Sequence, residues 1–284
     1  MKGVALNVGP GGPRRRWLWL LAASVLLAGL SALFWWTERP DALGRIRERG
    51  FVRIGYAVEA PYAFVTPGGR VSGESAETAR LVASRLGWKT RWVQTDFDEL
   101  IPDLLDGRFD MVAAGLFVTP ERARLVRFAA PKLRVRPGLL VPRGNPAGLR
   151  SMAQLKDLAR LRVAVLGGSE EERRLRALGV PHLVTVPDAR AGETAVETGA
   201  VDVLALSLPT VRTMAGQNHR LQAIAATDPD GVHLVAAAFR PGDRDLVAAW
   251  NRAQAQVLGT AEHLREIAAF GFQASDVPEA PRTP

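Results

Sequence analysis

The sequence between Asp41 and Phe272 alternates between short apolar segments and longer segments with apolar residues at helical spacing. In its first half, strands are predicted in FVRIGYA, KTRWVQT and FDMVAAG, and helices in ALGRIRERG, GESAETARLVASRLG and DELIPDLLDGR. Such alternation is typical of βαβ units, whose helices pack on mainly parallel sheets. The sequence therefore predicts an α/β fold.

A segment rich in Pro, Gly and Asn, VPRGNPAGLRS at residues 141–151, interrupts this alternation. The pattern then resumes, with strands predicted in RVAVLGG, HLVTV and VDVLALS and helices in SMAQLKDLA, SEEERRLRALG and AGETAVETG. Because this composition favours a loop, we expect two lobes joined near it. The last part contains a strand-like HLVAAAFR and one or two helices, and periodicity alone does not assign these to either lobe.

Residues 17–36, WLWLLAASVLLAGLSALFWW, contain no charge and follow a basic tail, residues 1–16, that ends in Arg14, Arg15 and Arg16. A helix of this length just spans a hydrocarbon core of about 30 Å, and the arginines favour a cytoplasmic N-terminus. We predict a transmembrane anchor, with a cleaved signal peptide as the alternative. Either places the rest of the chain on the periplasmic or extracytoplasmic face of the cell membrane.

Composition excludes several classes of protein. The chain has no cysteine, which removes disulfides, thiolate metal sites and a lipidated cysteine. Four of its net charge of +8 come from the N-terminal tail, and no basic patch is interleaved with aromatic residues, so nucleic-acid binding is not expected. The four histidines have no ligand-like spacing. We therefore predict neither a metal nor a cofactor.

Two motifs carry charged residues next to predicted strands. In IGYAVEAPYAFV, Glu59 is a solvated loop charge, a catalytic acid or one wall of a cation pocket, and the residues alone leave these open. In FVTPERARLVRF, Thr119 and Pro120 suit a helix start, whereas Arg122 lies at the wrong end for the helix dipole. A partner anion for Arg122, either a ligand carboxylate or a surface acid, is therefore expected.

From about Leu43 to Phe272, the sequence resembles the type-3 extracellular solute-binding proteins of ABC importers. The stretches that carry this resemblance are VRIGYAVEAPYAFV, GRVSGESAETARLVASRLGW, FDELIPDLLDGRFDMVAAGLFVTPERARLVRFAAP, LVPRGNP and GDRDLVAAWNRA. Within that family, EAPYAF, GESAETAR, AAGLFVTPERA and LVPRGNPAGLRS are most similar to ectoine and hydroxyectoine binders.

The resemblance implies the two-lobed periplasmic-binding-protein fold of type II, preceded by the N-terminal helix. It assigns residues 41–142 and 236–276 to lobe 1, residues 143–235 to lobe 2 and residues 277–284 to a tail. The C-terminal segment thus returns to the first lobe. The lobes of such proteins close over a ligand like a hinged trap.

The resemblance also implies which residues bind the ligand. Arg122 matches the residue that grips a ligand carboxylate, and Phe97 matches an aromatic stacking position. The chain departs from the family at Ser207, where an aspartate for the α-amino group is common, and at Lys132, where a tyrosine is usual. The full predicted ligand-binding set is Glu59, Tyr62, Phe97, Gly115, Phe117, Thr119, Arg122, Ser169, Glu170 and Ser207.

These residues predict a monomeric solute-binding protein that captures a small zwitterion, an ectoine-like compound or an amino acid, for an ABC permease. Glu59 with Tyr62, Phe97 and Phe117 is expected to hold the cation, and Arg122 the carboxylate. No catalytic residue is predicted. Two alternatives remain: a sensing module of a membrane signalling complex, and a periplasmic cyclohexadienyl-type dehydratase on the same fold, with Glu59 or Glu170 as its acid.

Overall fold

The structure is a computed structural model, and it describes residues 41–228 and 231–279. The predicted basic tail and membrane helix, residues 1–36, lie outside these ranges, as does most of the predicted C-terminal tail. Within the two described ranges, no helix is long and apolar enough to cross a membrane.

The first five-stranded sheet combines the start of the described chain with one strand from its end. Its strands are β1 Phe51–Tyr56, β4 Lys89–Gln94, β5 Met111–Val112, β6 Arg127–Phe128 and β14 Ala238–Phe239, and a short hairpin between β1 and β4 consists of β2 Phe64–Val65 and β3 Val71–Ser72. The strand order in the sheet is β4-β1-β5-β14-β6. Strand β1 runs parallel to β4 and β5, and β14 pairs antiparallel with β5 and β6.

The second five-stranded sheet consists of β8 Pro137–Pro142, β9 Val163–Leu166, β10 Leu183–Val186, β11 Val203–Ser207 and β12 Leu221–Ala225. Its strand order is β10-β9-β11-β8-β12. Strands β9, β10 and β11 are parallel, and β8 pairs antiparallel with both β11 and β12. Two sheets with parallel centres confirm the predicted α/β fold.

Helices cover both sheets. They are α1 Ala42–Arg49, α2 Glu74–Arg85, α3 Leu100–Leu105, α4 Pro120–Leu125, α5 Glu170–Ala177, α6 Ala189–Glu197, α7 Leu208–Gln217, α8 Arg244–Ala255 and α9 Ala261–Ala268. The helices up to α7 follow the βα alternation of the sequence, whereas α8 and α9 are consecutive. The last two helices pack against α2, beside the first sheet.

The chain passes between the two sheets twice, through an antiparallel pair formed by β7 Leu133–Val135 and β13 His233–Val235. After β7 it enters β8 of the second sheet, and after β13 it enters β14 of the first. The predicted lobe boundary at residues 142–143 therefore follows the first crossing by several residues. The Pro- and Gly-rich segment that suggested it is a turn after β8, not the crossing itself.

Three elements predicted from the sequence differ in detail from the elements in the structure. SMAQLKDLA forms only a short 3₁₀ helix, Ala153–Lys156, not an α-helix capped by Ser151. HLVAAAFR is divided between β13 and β14, because the chain leaves one sheet pair for another within it. FDMVAAG contributes just two strand residues, Met111 and Val112, although all of its apolar residues are buried.

A buried ion pair lies beneath the loop that follows β1. The ammonium of Lys132 contacts the carboxylate of Glu74, and the two side chains are 4% and 0% exposed. The same ammonium donates to Ser75 Oγ at 2.9 Å, and Thr78 Oγ1 donates to Glu74 at 3.1 Å. Thr78 in turn lies 3.3 Å from Nε2 of His263 in α9. Lys132 is thus committed to the interior of the first lobe.

The substitution Lys132→Met should destabilise the full chain strongly, since it leaves the carboxylate of Glu74 buried without its cation. Breaking one half of a buried pair costs about 3–5 kcal/mol. The double variant Glu74→Gln/Lys132→Met should be less destabilised than the single one. Chemical denaturation measures both, and a loss below about 1 kcal/mol for Lys132→Met would show that the pair is not buried as described.

Candidate functional site

The candidate site lies between the lobes, where several strands of both sheets end. The loop after β1 supplies Glu59, and the segment after β5 supplies Gly115 and Phe117. From the second sheet, β9 leads to Ser169 at the start of α5, and β11 ends at Ser207, which caps α7. Ligands of α/β proteins characteristically bind outside the carboxyl ends of strands.

The loop that carries Glu59 is held by its own backbone and by the ring of Tyr62. Glu59 N–H donates to Ala63 O at 2.8 Å, and Tyr62 N–H donates to Glu59 O at 2.9 Å. The Tyr62 ring packs so closely on Gly115 that a Cβ there would lie 2.6 Å from a ring carbon. Only glycine is therefore compatible with the ring in this position.

Direct hydrogen bonds join the two lobes at the site. Thr210 Oγ1 donates to Glu59 Oε1 at 2.7 Å, and Tyr62 Oη donates to Ser207 Oγ at 3.0 Å. Ser207 Oγ also lies 3.0 Å from Thr210 Oγ1, which connects the two contacts into one buried network. Glu59 and Tyr62 of the first lobe are thus held by hydroxyl groups of the second.

Beside this network lies an interlobe cavity of about 10 Å³, which is room for roughly one water. Seven of the ten predicted ligand-binding residues line it, together with three residues that were not predicted. The predicted ones are Glu59, Phe97, Gly115, Phe117, Ser169, Glu170 and Ser207, and the others are Leu166, Glu171 and Leu206.

The other three predicted residues surround the cavity without lining it. Tyr62 is fully buried beside Phe272. Of the three aromatic residues expected around the cation, only Phe97 and Phe117 therefore line the cavity. Thr119 caps α4 by accepting a hydrogen bond from the N–H of Arg122 at 3.2 Å. The role of all ten in ligand binding stays a prediction.

Arg122 bridges the lobes through backbone carbonyls, not through the anion expected from its position. Its Nη1 donates to Phe117 O at 3.0 Å, and its Nη2 donates to Gly168 O of the second lobe at 2.8 Å. Its guanidinium also lies 5.7 Å from the centre of the Phe97 ring. Burial lowers the pKa of Arg122, and the carboxyls of Glu171, Glu170 and Glu59 oppose that shift.

The surroundings of two carboxyl groups in the site raise their pKa values toward neutral pH or above. Burial raises the pKa of Glu59 to about 7, against the lowering influence of Thr210 and Arg122. Burial also raises the pKa of Glu171 to about 8, and the neighbouring charge of Glu59 adds to this. Glu170 is 8% exposed, but Arg173 neutralises it through a hydrogen bond of 2.7 Å from Nε to Oε2.

Two residues of the site, Glu171 and Thr210, were not predicted from the sequence. Glu170, Glu171 and Glu172 all carry a charge that suits a helix start, so their residue type does not distinguish one from another. Thr210 follows Ser207 by three residues, the spacing of a cap and its partner, and that spacing was a usable signal. Lys132 makes no contact with the cavity, so its departure from the family pattern has a structural cause.

The fold and the cleft define a class: two-lobed α/β proteins that enclose a small ligand between their lobes. The family model of bacterial extracellular solute-binding proteins, family 3, matches residues 52–267. The chain belongs to this family, whose members are extracytoplasmic and bind small solutes for ABC transporters. This confirms the resemblance found in the sequence and the predicted solute-binding function.

Individual relatives agree with this assignment. A probable amino-acid ABC transporter periplasmic-binding protein, y4tE of Sinorhizobium fredii, is 32% identical over 251 residues, 84% of this chain and 83% of that protein. A crystal structure of EhuB in complex with hydroxyectoine superimposes with a TM-score of 0.78 at 30% identity, over 83% of this chain and 95% of that one. Cyclohexadienyl dehydratase of Pseudomonas aeruginosa is 24% identical over 210 residues, 74% of this chain and 77% of that enzyme.

The raised pKa values predict that stability falls with increasing pH. Because Glu59 and Glu171 titrate above the ordinary value of 4.5 when folded, the folded state holds protons that the unfolded chain releases. The free energy of unfolding should therefore decrease from about pH 5 to about pH 8 and level off above that. Thermal unfolding across this range measures the slope.

Glu171→Gln should reduce that slope, since it removes one of the two groups. Glu197→Gln makes the same change of charge at the end of α6 and should keep the wild-type slope, as Glu197 lies on the surface of the same lobe. Equal slopes in all three proteins would contradict the assignment of a raised pKa to Glu171.

Proposed function

We propose that the protein captures a small zwitterion, an ectoine-like compound or an amino acid, between its lobes and delivers it to an ABC permease. The observation that carries this proposal is the position of Glu59 and Arg122. Both project from the first lobe, and both are hydrogen-bonded across the cleft to the second, through Thr210 and Gly168. A carboxyl and a guanidinium thus flank one small cavity.

Arg122 is the residue for the ligand carboxylate. Its two terminal nitrogens point toward carbonyl oxygens from opposite lobes, which are weaker acceptors than a carboxylate. A carboxylate that replaced them would accept two parallel hydrogen bonds from the planar guanidinium. This exchange gives Arg122 a better partner when a ligand enters than it has when the lobes touch directly.

Glu59 and the rings of Phe97 and Phe117 provide for the cation. Glu59 supplies the charge, and the two rings supply faces that attract a cation through their quadrupoles. One face of Phe117 is already occupied, because His233 stacks on it with ring centres 4.7 Å apart and planes 5° apart. The ligand is therefore expected to contact Phe97 and the remaining face of Phe117.

Access of such a ligand requires the lobes to separate, because the cavity of about 10 Å³ is far smaller than an amino acid. The crossing pair of β7 and β13 is the structural hinge for that motion. Opening breaks the Glu59–Thr210 and Tyr62–Ser207 hydrogen bonds, and the ligand then lies between the groups that made them when the lobes close again. In this proposal the protein acts as a monomer at the extracytoplasmic face of the cell membrane, where residues 17–36 anchor it unless they are a cleaved signal segment.

The proposal predicts ligand-induced stabilisation that depends on Arg122. Thermal-shift and calorimetric titrations with ectoine, hydroxyectoine, glycine betaine and amino acids should identify at least one ligand. Arg122→Ala should then weaken its binding by about 2–5 kcal/mol, the cost of truncating one side of a buried charge-assisted contact. Arg124→Ala, an exposed change in the same helix, should bind as the wild type does. Equal binding by both variants would contradict the proposed role of Arg122.

A second candidate function is supported by the carboxyls that stay protonated near neutral pH. A general acid needs a pKa close to the working pH, and Glu59 meets this condition at about 7. Dehydration of a cyclohexadienyl acid would use that proton on the hydroxyl, which leaves as water while the ring carboxylate leaves as carbon dioxide and its bonding electrons complete the aromatic ring. Incubation of the protein with such an acid, followed by ultraviolet detection of an aromatic product, tests this function. Turnover abolished by Glu59→Gln would favour the enzyme over the carrier.

A further inference from the structure

Glu171 is a buried acid that neither the family resemblance nor the proposed function uses. It occupies the first turn of α5, one residue after the salt-bridged Glu170, and lines the same interlobe cavity as Glu59. Its residue is 6% exposed, whereas Glu172 in the next position turns away to form pairs with Arg176 and Thr185. The second lobe therefore presents one further carboxyl to the cleft.

One oxygen of this carboxyl is unsatisfied. No residue in the described parts of the chain gives Oε1 of Glu171 a hydrogen bond, although the atom is buried. Glu171 is thereby unlike its neighbours, because Glu59 accepts from Thr210 and Glu170 accepts from Arg173. Leaving a buried acceptor without a donor costs free energy, and such an atom in a cavity marks the place of an absent donor.

The charged groups that face Glu171 come from both lobes. Glu59 and Glu170 disfavour its ionised form, while Arg122 favours it, and Tyr62 is a further titratable group close to it. Since Arg173 already compensates Glu170, the carboxyls of Glu59 and Glu171 share the influence of one guanidinium. Closure of the lobes thus brings together two acids with too little positive charge between them.

We propose that Glu59 and Glu171 form a two-sided clamp for the cationic group of the ligand, so that the site selects cations with N–H donors on opposite sides. This inference rests on the proposed solute-binding function and narrows its ligand class. Amidinium, guanidinium and primary ammonium groups meet the requirement. A quaternary ammonium carries charge but no N–H, so it leaves Oε1 of Glu171 without a donor.

The clamp also explains how the ligand promotes closure. Glu59 belongs to the first lobe and Glu171 to the second, so a cation between them contacts both lobes at once. Without a cation, closure brings like charges together and requires protonation of one acid. A ligand with N–H donors replaces that proton by hydrogen bonds and therefore binds the closed form more tightly than the open one.

The test compares matched pairs of ligands in calorimetric titrations of the full chain. The matched pairs are glycine beside glycine betaine and L-alanine beside its N,N,N-trimethyl derivative, and ectoine and L-arginine serve as further ligands that carry N–H donors. The variants are Glu171→Gln, Glu171→Asp and the surface control Glu197→Gln. Thermal unfolding without ligand establishes that each variant is folded, and Glu171→Gln should unfold at or above the wild-type temperature at pH 8, since it removes an acid whose charged form burial disfavours.

The expected result is that an N–H ligand binds at least about tenfold more tightly than its permethylated counterpart. Glu171→Gln should remove most of that preference, Glu171→Asp should lower it less, and Glu197→Gln should preserve it. Equal binding within the ligand pairs, or equal losses for both members in Glu171→Gln, overturns the clamp while solute binding stands. If no probe binds to the wild type, the proposed function fails and the clamp fails with it.

Discussion

The burial of charge between two lobes is the constraint on which the rest of this structure depends. Glu59 and Glu171 are buried and Arg122 is half-buried where the lobes meet, and each loses hydration that its protein partners only partly replace. Desolvation is the largest cause of the pKa shift of all three groups. Oε1 of Glu171 is left without a hydrogen-bond donor, and in the proposed function a zwitterion of matching charge supplies one.

The first lobe contains a second buried charge system, which has a different character. Lys132 and Glu74 neutralise each other, and Ser75 and Thr78 complete their hydrogen bonds. That network is closed on itself and supports the loop of Glu59 from below, since Glu74 N–H donates to Pro61 O at 2.9 Å. The polar groups of this ion pair are satisfied, whereas Oε1 of Glu171 in the cleft has no hydrogen-bond partner in the described part of the chain. This contrast distinguishes a structural ion pair from the proposed binding site.

Much of the fold could be predicted from the sequence, because periodicity reports which face of each element is buried. The helix over Glu74–Arg85 and the strand Phe51–Tyr56 were evident in this way. The split of HLVAAAFR into β13 and β14 was not, because an apolar run gives no sign of where the chain changes sheets. The position of Lys132 was likewise invisible, as its partner Glu74 lies 58 residues away.

The candidate site was predictable to a similar degree. Resemblance led to Glu59, Phe97 and Phe117, and all three line the cavity. The position of Glu171 in the cavity was not predicted, because three consecutive glutamates at a helix start cannot be distinguished by sequence alone. Their surroundings in the folded chain separate them, because Glu170 pairs with Arg173, Glu171 lines the cavity and Glu172 pairs with Arg176.

The central claim is that one zwitterion lies between Arg122 and the two acids when the lobes close. A high-resolution crystal structure with a bound ligand tests it most directly. The account predicts the ligand carboxylate on the guanidinium of Arg122, in place of Phe117 O and Gly168 O, and its cationic N–H groups on Glu59 and Glu171. A ligand bound outside the cleft, or one with its carboxylate turned away from Arg122, would contradict the account.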